Sequence, residues 1–194
     1  MKKGDAKIND TIILFLKGKA RSGKDTFANL IKEEVEKGNT PFKSVAILAF
    51  ADWLKDICRR NHFYENKLED RDVLIQIGDE MRCIDPDIFA KPVADAVKVF
   101  SRMRYDLVII TDLRYKNEFD FVYNRTDLKT FILEIESPNQ LEGLSEYAIK
   151  HPTENLVLPP NFKLSLPYIE ASSIEEIRKI VNCFIFFLDA WKNS

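Results

Sequence analysis

Residues 11–26 read TIILFLKGKARSGKDT, and the architecture follows from this stretch. Its first part, residues 11–16, is a short continuous apolar run between polar neighbours, as suits a central parallel strand covered on both faces. Residues 18–26 then fit G-x-x-x-x-G-K, and Thr26, Phe27, Leu30, Ile31 and Val35 recur at helical spacing as far as Gly38. A glycine-bearing loop between a buried strand and a helix start is a phosphate cradle. Glycine lets the backbone wrap around an anion, successive N–H groups converge on its oxygens, and the helix dipole adds positive potential. Lys24 reaches the outer phosphates as a mobile point charge. Asp25 stands where Ser or Thr commonly meets Mg²⁺, and the hydroxyl arrives one residue later, at Thr26. The plain alternative is a tight turn beside a lysine, and the flanking strand and helix argue against it.

Beyond the loop, apolar runs and helical stripes alternate. Residues 44–50 (SVAILAF) read as a second strand, followed by Trp53, Leu54, Ile57 and Cys58 on one helical face. From about residue 61 to residue 104 the chain is helical in character, with stripes at Val73, Leu74 and Ile77 and at Ile88, Phe89, Val93, Val97 and Phe100. Residues 107–111 and 130–135 are further buried strands, and residues 162–166 alternate weakly, as an edge strand does. Residues 174–191 read as a terminal helix capped by Ser172 or Ser173, with Glu175 and Glu176 in its first turn. Strands separated by helices imply right-handed crossovers and a parallel sheet covered on both faces. The expected organisation is one α/β domain over residues 1–194, its sheet drawn from residues 11–51 and 105–194. Residues 52–104 are too long for one crossover helix, so a helical subdomain over one sheet edge is expected, with a flap near residues 136–160.

Composition narrows the function. Hydrophobic residues at 45% and charged ones at 31% place the chain among globular proteins and exclude global disorder. Lys and Arg total 29 against 31 Asp and Glu, a net charge of −2, which argues against a nucleic-acid-coating protein but leaves room for a small phosphorylated ligand. Cys58, Cys83 and Cys183 form no C-x-x-C pair, so buried free thiols in a reducing compartment are expected. No apolar run is long enough to span a bilayer, and MKKGDAKIND lacks the apolar core of a secretion signal, so a cytoplasmic location is expected. Phe184, Phe186, Phe187 and Trp191 suit either the core of a monomer or a homodimer seam, with the core preferred.

Other segments supply candidate site residues. Asp112 follows the strand at residues 107–111, where a carboxylate beside the phosphate loop holds Mg²⁺ through water; capping a helix that begins near Tyr115 is the alternative. Arg114 lies in the same strand-end crevice, where open α/β sheets bind ligands. In QIGDEMR, Gly78 permits close approach and Arg82 offers a planar fork for a phosphate. Asp52 and Lys55 follow the second strand, and a capped helix with a solvated lysine explains them equally. His151 and Glu154 fall in the flap region without a metal partner at ligand spacing.

In this order the segments GKARSGKDT, FADWLKD, QIGDEMR with DPDIF, TDLRYKNEFD and HPTE resemble the deoxynucleoside monophosphate kinases of tailed phages, within the P-loop kinase superfamily, and cover most of residues 12–155. The G-K-x-T form of the loop is similar to that of adenylate-kinase-like enzymes. The resemblance implies a three-layer α/β/α P-loop kinase fold with a five-stranded, mainly parallel sheet and a helical acceptor-binding insertion. It also implies transfer of the γ-phosphate of ATP to a (deoxy)nucleoside 5′-monophosphate, with Mg²⁺. On that likeness Gly18, Lys19, Ala20, Arg21, Ser22, Gly23, Lys24, Asp25 and Thr26 would bind the ATP phosphates, and Arg21 would also face the transferred group. Asp25, Thr26 and Asp112 would meet the metal. Asp52, Lys55, Gly78 and Arg82 would form the acceptor side, with Arg82 on the acceptor phosphate. Asp112 and Arg114 would lie between the nucleotides, Asn117 and Glu118 would support that loop, and His151 and Glu154 would belong to the closing region. Two places depart from the family pattern: Gly78-Asp79 replaces a G-T pair, and Asn161-Phe162-Lys163 replaces an aspartate-led strand.

The charge chemistry agrees. A monophosphate acceptor is largely a dianion near neutral pH and needs no general base, so catalysis rests on positioning and positive charge. Lys24, Arg21, Arg82 and Arg114 suit that task. Two rivals stay open: a kinase for another phosphorylated small molecule, as in phosphomevalonate-kinase-like enzymes that share R-S-G-K-D, and a catalytically silent nucleotide-binding module.

Overall fold

Five apolar side chains in a row, Ile12 to Leu16, are fully buried, and they set both faces of the sheet. In the computed structural model, which describes residues 10–60, 71–138, 144–151, 156, 158–166 and 173–194, they belong to β1 (Ile12–Lys17). The chain continues through α1 (Lys24–Glu36), β2 (Val45–Leu48), α2 (Phe50–Arg60), α3 (Arg71–Ile84), α4 (Ala90–Arg102) and β3 (Leu107–Ile110). It then runs through α5 (Lys116–Thr126), β4 (Lys129–Glu136), α6 (Glu146–Lys150), β5 (Phe162–Ser165) and α7 (Ile174–Lys192). The sheet order is β2-β3-β1-β4-β5 and every pairing is parallel. β1 is central, with Ile12 opposite Leu107 on one side and opposite Lys129 on the other.

Because side chains alternate along a strand, β1 feeds two cores. Ile12, Leu14 and Leu16 pack with α1 and α7, through Phe27, Ile31, Val181 and Phe184. Ile13 and Phe15 face α4 and α5, through Phe89, Val93, Val97 and Val122. The result is three layers. Within residues 52–104, α4 lies on the sheet as the crossover from β2 to β3, while α2 and α3 rise beyond the strand ends. Among the described residues no helix is long and apolar enough to cross a membrane.

Several details differ from expectation. The second strand ends at Leu48, and Phe50 opens α2 with its ring buried. Ser173 occupies the N-cap position of α7 but makes no capping hydrogen bond, and Ser172 lies outside the described residues. All three cysteines are free, yet only Cys58 is buried; Cys83 and Cys183 are exposed. Phe184 joins the core, while Phe186 and Phe187 are about half exposed; the Phe187 ring still meets Phe131 of β4 at 6.0 Å and Phe162 of β5 at 5.6 Å.

Gly18 joins β1 to the loop, at φ 147°, where the backbone passes directly against β4. A Cβ there would stand 2.2 Å from the carbonyl oxygen of Ile135 and 2.8 Å from Ser22 Oγ. The carbonyl is backbone of β4 and cannot retreat without parting β1 from β4. Gly18→Ala should therefore destabilise the fold by about 3 kcal/mol or more, read as a lower urea midpoint at unchanged slope. A variant as stable as wild type would show that the loop has room that its backbone does not display.

Candidate active site

Residues 18–24 curl so that the loop carbonyls meet the first side chain of α1. The Lys24 ammonium donates to the carbonyl of Gly18 at 2.8 Å, to that of Lys19 at 2.7 Å and to Ser22 Oγ at 3.2 Å. Lys24 and Ser22 are both buried. Gly23 at φ 88° and Arg21 at φ 61° take left-handed conformations, which turn successive N–H groups to one side. For Arg21, with its Cβ, that conformation costs on the order of 1 kcal/mol, strain concentrated where an anion would bind. Thr26 sits in the first turn of α1, half-buried, and Asp25 beside it is exposed.

Beside the loop opens a cleft of about 450 Å³ at the C-terminal ends of β2 and β3, walled by α2, α3 and the start of α5. Most of the expected acceptor-side residues line it: Asp52, Lys55, Arg82, Arg114 and Glu118. Asp112 and Asp25 line it too. Arg21 is exposed and is not part of this lining, and Glu154 lies outside the described residues. Asp52 and Lys55 are neighbours on α2 at 3.8 Å.

Arg82 is the most constrained cation in the cleft. Its guanidinium lies between the rings of Phe89, at 4.7 Å, and Tyr115, at 4.2 Å. Glu118 Oε1 stands 3.4 Å from one terminal nitrogen and Asp79 Oδ1 3.6 Å from the other. Gly78, one helical turn earlier, makes the space: a Cβ there would sit 3.1 Å from Arg82 Nη1 and 3.3 Å from Leu54. An arginine gripped in this way loses little entropy when it meets a phosphate.

The carboxylates are mostly committed to backbone. Asp112 accepts from the N–H of Phe50 at 2.7 Å and of Ala51 at 2.9 Å, so it caps α2 across the sheet rather than the helix that follows it in sequence. Burial pushes its carboxyl upward, against the lowering effect of those two amides and of Arg114. Glu118 caps α5 from within, accepting from the N–H of Arg114 at 3.1 Å and of Tyr115 at 3.0 Å. Asn117 ties the same helix start to the turn before α4, donating to the Pro86 carbonyl at 2.8 Å and to Asp87 Oδ1 at 3.0 Å.

Sequence reasoning missed Asp79, Tyr115 and Phe89 as site residues. Asp79 stands three positions before Arg82 on a helix, a spacing that brings side chains together. The two rings are separate in sequence, and only the fold brings them to the same guanidinium.

Burial raises the Glu118 carboxyl to about 7, Asp112 adds to the rise, and Arg82 opposes it. The folded protein holds this proton more tightly than the unfolded chain does. Its contribution to stability is fully present below the ordinary value of 4.5 and is lost as pH rises toward about 7. Wild type should weaken across that window by a few kcal/mol, on the order that such a shift implies. Asp112 contributes in the same direction. Glu118→Gln keeps an oxygen for both backbone N–H groups and should remove a large part of the slope in urea melts between about pH 5 and about pH 7. An unaltered slope would show that Glu118 does not hold the proton.

Among solved structures the chain is similar to a candidate kinase from Chloroflexus aurantiacus, with a TM-score of 0.54 and 11% identity over 93% of this chain and 97% of that one. It is also similar to a sugar kinase from Janibacter sp., at 0.50 and 14% over 90% of this chain and 95% of that one. A hexameric APS kinase from Thiobacillus denitrificans matches at 0.51 and 11%, over 94% of this chain and 29% of that one. No family model and no curated protein sequence matches the chain. At these identities the likeness is one of fold: the five-stranded parallel sheet and its flanking helices make the α/β fold of P-loop kinases.

Proposed function

We propose that this chain is an ATP-dependent phosphotransferase that passes the γ-phosphate of ATP to a (deoxy)nucleoside 5′-monophosphate. The observation that carries this reading is a fixed cation, Arg82, clamped between two rings in a cleft that reaches the first turn of α1. A loop alone would suit any nucleotide binder, whereas a neighbouring cleft that holds a preorganised guanidinium suits a phosphorylated acceptor. The cleft volume of about 450 Å³ is in the range of pockets that bury small ligands. The order of the motifs in the sequence favours a nucleoside monophosphate among such acceptors.

The chemistry would need little from side chains beyond placement. An oxygen of the acceptor phosphate attacks the γ-phosphorus, and the bond to the bridging oxygen breaks, leaving its electron pair on ADP. The acceptor oxygen carries no proton near neutral pH, so no general base is required. Lys24 would meet charge on the β- and γ-phosphates, Arg114 would lie between the nucleotides, and Arg82 would hold the acceptor. Carboxylates crowd the same cleft. Burial raises the Glu118 carboxyl to about 7, which lessens its negative charge near neutrality, and Arg82 offsets Asp79 and Glu118.

Among the described residues no three or more His, Cys, Asp or Glu gather as a metal cage. The donors fit a hard cation held by one or two side chains together with phosphates. Each Asp112 oxygen accepts one N–H from α2 and keeps a further lone pair, so Asp25 and Thr26, with Asp112 through water, are the residues that would hold Mg²⁺. When bound, Mg²⁺ would offset charge on the transferred phosphate.

A coupled ADP-release assay across ribo- and deoxyribonucleoside monophosphates, with sugars and phosphomevalonate in parallel, tests the proposal. Turnover confined to a non-nucleotide acceptor, or ATP hydrolysis indifferent to every acceptor, would overturn it. Lys24→Ala should lower kcat by about two orders of magnitude or more. Arg82→Lys should raise the acceptor KM about tenfold or more with the ATP KM nearly unchanged, because an ammonium cannot copy the stacked planar fork. An equal loss for both nucleotides would remove Arg82 from the acceptor side.

A further inference from the structure

The short helix α6 has five residues, far too few to be stable alone, so its order comes from what it touches. It is tethered to α3 at both ends. At its N-cap, Ser145 Oγ accepts from the Ala148 N–H at 3.0 Å and contacts Asp72 Oδ1 at 2.6 Å, donating its own proton. At its C-cap, His151 Nε2 lies 2.7 Å from Asp79 Oδ2, and because a carboxylate only accepts, the imidazole donates. Asp72 and Asp79 are about two turns apart on one face of α3. Ala148, between the tethers, is fully buried.

Asp79 has a second set of partners. Its Oδ1 accepts from the Tyr115 hydroxyl at 3.2 Å and stands 3.6 Å from Arg82 Nη1. Tyr115 is also the ring over the Arg82 guanidinium. One carboxylate is thus shared among α6, the start of α5 and the arginine assigned to the acceptor. His151 is its nearest partner and Arg82 its most distant.

We infer that docking of α6 controls Arg82 through Asp79: while His151 occupies the carboxylate, Arg82 is left for the acceptor phosphate, and when α6 leaves, Asp79 closes on Arg82 and withholds it. The inference rests on the reading of the cleft as a monophosphate site and adds its regulation. Asp79 and His151 are positioning residues here, acting through Arg82. A carboxylate deprived of its imidazole partner in a half-buried cleft turns to the nearest cation, and Arg82 is already within reach.

The test is a rescue. His151→Ala should raise the acceptor KM about tenfold while the ATP KM and kcat change less than about threefold. Adding Asp79→Asn to that variant removes the competing charge and should bring the acceptor KM back to within about threefold of wild type. A merely structural role predicts the opposite, since a second lesion in the same contact deepens the first. In parallel, hydrogen exchange at the Ile149 amide, which donates to the Ser145 carbonyl, should accelerate about tenfold in His151→Ala and stay near wild type in His151→Gln, whose amide can still donate. Should His151→Ala melt before assay, Asp72→Ala cuts the other tether at the surface and carries the same expectations. An unchanged acceptor KM, or a double variant worse than the single one, would overturn the inference. If wild type turns over no nucleoside monophosphate, the proposed function falls on its own. The exchange arm then decides the docking alone, and unchanged Ile149 exchange overturns that as well.

Discussion

The Lys24 ammonium, folded back onto the carbonyls of Gly18 and Lys19, binds the first turn of α1 to the end of β1. That contact shapes the loop. It closes the turn between strand and helix, and it puts the only buried cation of the loop at its floor. Everything else in the cleft is arranged around the same sheet end. α1, α2 and α5 all begin there, each with N–H groups that the helix itself cannot satisfy. Asp112 serves the second and Glu118 the third, while the first, at Gly23, has no side-chain cap. Three partial positive charges therefore converge on one crevice, and two of them are secured by carboxylates that would otherwise repel an anion.

This division of labour explains the acidic lining of a site proposed for phosphates. Asp112 acts on backbone and Glu118 on backbone and on Arg82, and burial pushes both carboxyls above their ordinary values. The arginines face the space that the acids leave. Fixing Arg82 between Phe89 and Tyr115 pays its ordering cost during folding, so little remains to be met when a ligand arrives.

Much of this was readable in the chain itself, because the strongest signals are local. The apolar run of β1, the loop GKARSGKDT and the helical spacing after it are contiguous, and short apolar runs likewise mark β3 and β4. Asp52, Lys55, Arg82, Arg114 and Glu118, which the motifs pick out, line one cleft. What escaped was set by contacts distant in sequence. Asp112 caps a helix some sixty residues earlier because β3 lies beside β2, and strand order cannot be read from either strand alone. The tie between His151 and Asp79 spans a comparable distance. The ring contacts of Phe187, on α7, with Phe131 of β4 and Phe162 of β5 likewise join residues far apart in sequence.

The placement of β1 also has a consequence for how the chain comes off the ribosome. Its two neighbours start at Leu107 and Lys129, so the fully buried apolar run of β1 waits unpaired until those later residues have been made. Long-range parallel pairing is slow to close, and a bare apolar segment invites self-association in the meantime. Nascent chains of this protein should therefore be clients of chaperones that shelter extended apolar segments, released only once β4 has emerged.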